Sequence, residues 1–353
     1  MTSAPGAAPT TYEPDPDADP AGLTYTFGGV EPVASLAPGS ALSTWTFDCF
    51  GGAVRSASDV VSQVCDPRYL NPQTGPFFIE GAEAGDTLAV HFVSIEPRQA
   101  FGISANIPLF GSLVATPTTA MLNAPLDERT WWYELDLTER LVRYAALDSP
   151  FTLDLPLDPM HGTVGVAPPL GEARSSLAPG SWGGNMDTPE MRAGVTCYLG
   201  VNVAGAMFSL GDGHARQGEG ETCGVAVETA MDTVVIVDLV KGVYTDWPRI
   251  ESDTHLISTG STKPLEDAFR IAHADLTGWI GGELGLSPLD AYQLVTQVVE
   301  SPVANVVDTV YTMTAKIAKR YLPGVAAYDG MHARLREQAR SRLEPVETRE
   351  RRP

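Results

Sequence analysis

The chain has 353 residues, room for a large core or roughly two domains at ~150 residues each. Apolar residues make up 43% and charged residues 19%, the balance of a folded globular protein, while 34 glycines and 28 prolines predict many turns and few long helices. Lys and Arg number 23 against 44 Asp and Glu, a net charge of −21 that opposes binding to a polyanion and excludes nucleic acid as the leading partner.

Residues 1–22 alternate proline with acid (Glu13, Asp15, Asp17, Asp19) and read as a disordered acidic tail, not a signal peptide, which predicts a cytoplasmic protein. The fold is expected over 23–330, as a β-rich body from 23 to 250 followed by a helical hairpin and a last strand from 251 to 330. Asp86 to Glu96 is a strand with Leu88, Val90, Phe92 and Ser94 on one face. Asn71-Pro-Gln-Thr-Gly-Pro-Phe-Phe-Ile-Glu-Gly81 supplies a turn and a strand leading into it. Further strands are read over Phe151–Leu157, Val195–Val201, Ala204–Leu210 and Asp232–Leu239, with no crossover helix between neighbours, which disfavours a parallel sheet. The apolar stretch Val195 to Gly211 is broken by Thr196, Asn202, Ser209 and glycines, so no membrane span is expected.

Pro264, the adjacent acids Glu266 and Asp267, and apolar Leu265, Ala268, Phe269, Ala272, Leu276, Trp279 and Ile280 define an amphipathic helix that Gly285 stops. Ser287 caps a second helix with Pro288 at its first position and Asp290 three residues past the cap, running to about Glu300. Residues 331–353 form an arginine-rich tail, read as a solvated helix fraying into disorder. Both tails are expected to be dispensable. Cys49, Cys65, Cys197 and Cys223 lack close spacing and are read as reduced thiols, with Cys223 a buried structural thiol.

Polar, glycine-dense stretches stand at the edges of apolar runs, where glycine lets backbone approach a ligand. Asp212 and His214 are two apart, which in an extended segment puts both on one face and lets them reach one ion. The alternative is a loop in which Asp212 caps backbone amides and His214 packs as a neutral ring. No G-x-S-x-G, H-E-x-x-H or Walker A run occurs.

Gly183-Gly-Asn-Met-Asp187 followed by Gly205-Ala-Met-Phe-Ser-Leu-Gly-Asp-Gly-His-Ala-Arg-Gln-Gly-Glu-Gly-Glu221 resembles the acetamidase/formamidase family. Asn71-Pro-Gln-Thr-Gly-Pro76, Glu80-Gly-Ala-Glu-Ala-Gly-Asp86, Gly162-Thr-Val-Gly-Val-Ala-Pro168 and Ile317-Ala-Lys-Arg-Tyr-Leu-Pro323 match in order and spacing, so the resemblance spans most of 40–325. It implies a mostly β fold with appended helices (α+β), sandwich or jelly-roll-like, a metal-dependent site, homo-oligomers, and hydrolysis of small amides to carboxylate and ammonia. His161 stands where family members often carry an apolar residue.

The resulting assignment is a divalent-metal amidohydrolase for short aliphatic amides, zinc favoured and calcium the other choice. Asp187, Asp212 and His214 are the expected ligands, and Glu221 is the acid/base with Glu219 its rival. Asn185, Gln217 and His161 are the expected substrate-binding residues. The alternative is a non-catalytic metal- or ligand-binding protein of the same fold.

Overall fold

Alternating apolar residues set the centre of the molecule. In a computed structural model describing residues 8–113 and 126–343, strand Thr87–Pro97 buries Leu88, Val90 and Phe92 completely. The expected fourth member, Ser94, does not follow. Val235 pairs with Phe92 and Val234 with Ser94, so Val93 is an extra residue in the ladder and the bulge passes the inward phase to Ile95.

This strand lies in a nine-stranded sheet between Met231–Val240 and Thr196–Gly200. A second sheet of ten strands contains Phe208–Arg216, flanked by Met160–Gly165 and Gln73–Ile79. Leu88, Val90, Phe92 and Ile95 from the first sheet share one apolar cluster with Phe77, Ile79, Val164, Phe208 and Leu210 from the second. The architecture is mostly β, sandwich-like, with appended helices, as the sequence implies. Strand Phe208–Arg216 starts later than the expected Ala204–Leu210, because Ala206 and Met207 take positive φ in a turn. It also continues through the glycine-rich motif instead of ending before it.

The helical hairpin is Leu265–Leu284 and Pro288–Val298, ended at Gly285 in the left-handed conformation and restarted by the Ser287 cap. Ala268, Ala272, Leu276, Trp279 and Ile280 form its buried stripe. Gly260, on strand His255–Thr262, admits the helix backbone: a Cβ there would lie 2.4 Å from the Ala268 carbonyl oxygen. Among the described residues, no helix is long and apolar enough to cross a membrane.

Both ends depart from the sequence reading. Thr10–Tyr12 pairs in parallel with Ala41–Thr46, and Thr44 Oγ1 donates to the Tyr12 carbonyl at 2.7 Å, so ordered structure begins inside the segment read as an acidic tail. The element Ala327–Leu343 opens with a left-handed turn at 328–330 and then buries Met331, Leu335 and Ala339 against the first sheet. Three apolar side chains at i, i+4 and i+8 make it a docked helix, a periodicity the arginines mask. Residues 1–7 and 344–353 lie outside the described residues.

A polar chain fastens that helix. His91 Nδ1 and His332 Nδ1 each lie 2.9 Å from Thr196 Oγ1, and His332 Nε2 is 3.1 Å from Asp253 Oδ1. Asp253 fixes the proton of neutral His332 on Nε2, so Nδ1 accepts from the Thr196 hydroxyl, whose oxygen accepts in turn from His91 Nδ1–H. Burial pushes His91 down to about 4, aided by His332 and Arg336 and opposed by Asp253. Burial also lowers His332, against Glu251 and Asp253 and with Lys319. Both rings therefore bind protons more readily when undocked: docking is fully present above the ordinary histidine value near 6.5 and is lost as pH falls toward 4. Amide hydrogens of residues 331–339, corrected for intrinsic rate, should exchange faster at about pH 4.5 than at about pH 7.5. Equal protection at both would contradict this chain.

Candidate active site

Asp212 and His214 enter the site two residues apart on strand Phe208–Arg216, where Asp212 itself leaves the extended conformation, and Asp212 Oδ1 lies 3.4 Å from His214 Nε2. Pairing places Glu228 directly opposite His214, bringing its Oε2 within 3.1 Å of the same nitrogen. Asp187 follows the short strand Gly183–Asn185, and Glu221 follows the glycine-rich turn after 216. Asp187, Asp212 and Glu221 all have positive φ (44°, 58° and 46°). Such backbone costs about 1 kcal/mol or more per residue, and its concentration here shows that the fold holds these acids in place against local preference.

The ligand-competent atoms of Asp187, His214 and Glu221 lie within 4.8 Å of one another, as do those of Cys49, Asp212 and Glu228. Asp187 Oδ1, His214 Nε2 and Glu228 Oε2 are buried without a hydrogen-bond partner among the described residues. The short His214 approaches are thus proximity without directed hydrogen bonds. Gly162 keeps the centre open: a Cβ there would stand 2.3 Å from Asp187 Oδ1 and 2.4 Å from Asp212 Oδ2. Converging lone pairs around a space that a methyl group would fill suit a small divalent cation.

Surrounding residues aim these atoms. Gln217 Nε2 donates to the carbonyls of Asp187 (2.6 Å) and Ala304 (3.2 Å), which fixes its amide so that Oε1 faces His214 Nδ1 at 2.9 Å. Nδ1 must then carry a proton, and in the neutral ring the Nε2 lone pair is left for a cation. Asn305 donates to Asp187 Oδ2 at 2.6 Å and also to Asp308, leaving Asp187 Oδ1 to face the space. Asn71 donates to Asn185 Oδ1 (2.8 Å) and Thr163 Oγ1 (2.9 Å), and Asn185 Nδ2 donates to Asp308 Oδ2 at 2.9 Å.

Five carboxylates, Asp187, Asp212, Glu221, Glu228 and Asp308, are buried together. Among the described residues, no lysine or arginine pairs with any of them. Burial, then Glu221, Asp308 and Asp212, hold Asp187 well above the ordinary carboxylate range. Burial also lifts Glu221 far up, opposed by His214 and reinforced by Asp308, Glu228 and Asp212. Glu228 rises to about 7 and Asp308 to about 6, in both cases chiefly through burial. Burial pushes Asp212 up, but His214 together with Asp187 and Thr163 brings it below its ordinary value, while Glu228 and Asp212 raise His214 despite its own burial.

Four sequence expectations need correction. His161 is fully buried, with Nδ1 2.9 Å from the Gly211 carbonyl and Nε2 2.7 Å from Thr233 Oγ1, so neither nitrogen remains for substrate. Asn185 and Gln217 use both ends of their amides on protein groups and position the site, and Gln217 also lines the cavity at Glu221. Cys223 is exposed, not buried. Glu219 is exposed and not part of the cluster. The sequence reading missed Glu228, Asn305, Asp308, Asn71 and Thr163. An acid closing the apolar run Val225-Ala-Val227 was the available sign for Glu228.

A mostly β, sandwich-like body carrying a buried acid–histidine cluster defines the class, and comparison with known proteins gives the family. Residues 104–270 match the model of the Acetamidase/Formamidase family. The acetamidase from Yersinia enterocolitica is 40% identical over 90% of this chain and 94% of its own, with a TM-score of 0.81. The acetamidase from Bacillus halodurans is 28% identical over 86% and 98%, TM-score 0.77. A predicted acetamidase/formamidase from Thermoanaerobacter tengcongensis is 28% identical over 90% and 99%, TM-score 0.77. No curated protein matches. The chain belongs to the acetamidase/formamidase family and is an amidase.

Gly162→Ala tests the cradle. The added methyl should leave the far-UV dichroism unchanged and reduce zinc retained after dialysis by ~10-fold or more. Zinc retention equal to the parent would show that the space beside Gly162 is not a cation site.

Proposed function

We propose that the protein hydrolyses short primary amides, of the formamide and acetamide class, to a carboxylate and ammonia with the help of a divalent cation at this cluster. The observation that carries the reading is the set of buried atoms without partners, Asp187 Oδ1 and His214 Nε2, converging beside Glu221 on the space that Gly162 leaves open. Asp187 and His214 hold the cation, with Asp212 and Glu228 beside them, and zinc suits the mixed oxygen and nitrogen donors. When bound, such a cation lowers the pKa of water from ~15.7 toward 7 and so supplies a nucleophile at neutral pH.

The chain's own residues do the remainder. Gln217 keeps the His214 proton on Nδ1, and Asn305 keeps Asp187 turned inward. Glu221 is the proton carrier: it lines a cavity of about 230 Å³, and burial, reinforced by neighbouring acids, raises its proton affinity. It takes a proton from the attacking water as the C–O bond forms and delivers it to nitrogen as the C–N bond breaks. Glu219 lines the same cavity outside the cluster and is the weaker candidate.

Glu221→Gln keeps size and removes the base. Ammonia release from acetamide should fall by ~10²–10⁴-fold while zinc content stays at the parental level. Loss of zinc together with activity would make Glu221 a ligand, and full activity would remove it from the mechanism.

A further inference from the structure

A second cavity adjoins the one at Glu221. Ser104, Tyr133 and Cys223 line both, and the second has a volume of about 510 Å³. Formamide or acetamide would occupy the inner chamber and leave the outer one empty. Three aromatic side chains, Trp131, Tyr133 and Tyr144, stand in the outer lining among polar residues. Trp131 and Tyr133 are two apart on strand Arg129–Asp136, hence on one face, and Tyr144 stands on the adjoining strand Leu141–Ala145. The Tyr133 and Tyr144 ring centroids are 6.2 Å apart at 47°, and all three side chains are only half-buried. Aromatic faces mounted on strands are rigid contacts for a planar apolar group.

Charge narrows the class further. Arg129 lines the outer chamber but is paired with Asp148 at 2.7 Å, and Asp127 adds a further acid. An anionic substituent is disfavoured there, in keeping with the net charge of −21.

We propose that the preferred substrates are primary amides whose acyl group bears an uncharged aromatic ring, with the amide at Glu221 and the ring between Trp131 and Tyr144. The proposal rests on the amide-hydrolysis reading above and deepens it. The chemistry is unchanged: water adds to the carbonyl, the C–N bond breaks, and ammonia and an arylalkanoate leave.

The test uses the full chain and two readouts. Ammonia release gives kcat/KM for acetamide and phenylacetamide, and calorimetry gives the affinity for phenylacetone, the ketone isostere that cannot be hydrolysed. Phenylacetamide should exceed acetamide by ~10-fold or more in kcat/KM. Trp131→Ala should cut the phenylacetamide value by ~10-fold or more, weaken phenylacetone similarly and leave acetamide within about 2-fold. Tyr144→Ala is the second variant, should the first fail to fold. Equal or better turnover of acetamide, with phenylacetone binding indifferent to both substitutions, overturns the proposal. Phenylacetone binding that both substitutions weaken, with no ammonia from any amide, upholds the aromatic chamber and overturns the hydrolytic reading.

Discussion

Five acids buried around one histidine, with no lysine or arginine paired to them among the described residues, are the constraint from which the rest of this structure follows. Each buried charge costs several kcal/mol in lost hydration unless an opposite charge offsets it. Protons can offset part of it, which is why Asp187, Glu221, Glu228 and Asp308 are pushed upward. A divalent cation would offset more, and in the proposed reading Asp187 Oδ1 and His214 Nε2, unpartnered and beside the opening at Gly162, would be its donors.

The scaffold is arranged to sustain that arrangement. Strand Phe208–Arg216 is bordered by Met160–Gly165, Gln73–Ile79 and Val227–Glu228, so Asp212 and His214 cannot relax away from each other. Amide side chains saturate the outer rim, donating to acids, carbonyls and a hydroxyl and accepting elsewhere. That explains why Asn185 and Gln217 are built into the wall: a freely rotating amide would no longer fix the His214 tautomer or the Asp187 rotamer. The positive φ values of Asp187, Asp212 and Glu221 are stable only because this network surrounds them.

Local periodicity made much of the fold legible. The Leu88, Val90, Phe92 alternation, the Pro264 and Ser287 helix starts and the two-residue spacing of Asp212 and His214 all depend on neighbours in sequence, and each is present. What was hidden depends on pairing across the sheets. Glu228 meets His214 only through strand register, and Asn305 reaches Asp187 across 118 residues. His161 looked functional because a histidine beside glycines resembles a site. Its contact with Gly211 comes from strand pairing within one sheet, and its contact with Thr233 arises only when the two sheets stack. The bulge at Val93, which diverted Ser94 from the core, likewise has no signature in the alternation it interrupts.

The central claim is that the buried acids form a cation cradle, and anomalous diffraction from crystals grown with zinc tests it most directly. The account predicts one strong internal peak about 2.0–2.2 Å from Asp187 Oδ1 and His214 Nε2, beside Gly162. Zinc peaks confined to the surface, with this internal space empty at the zinc edge, would contradict it.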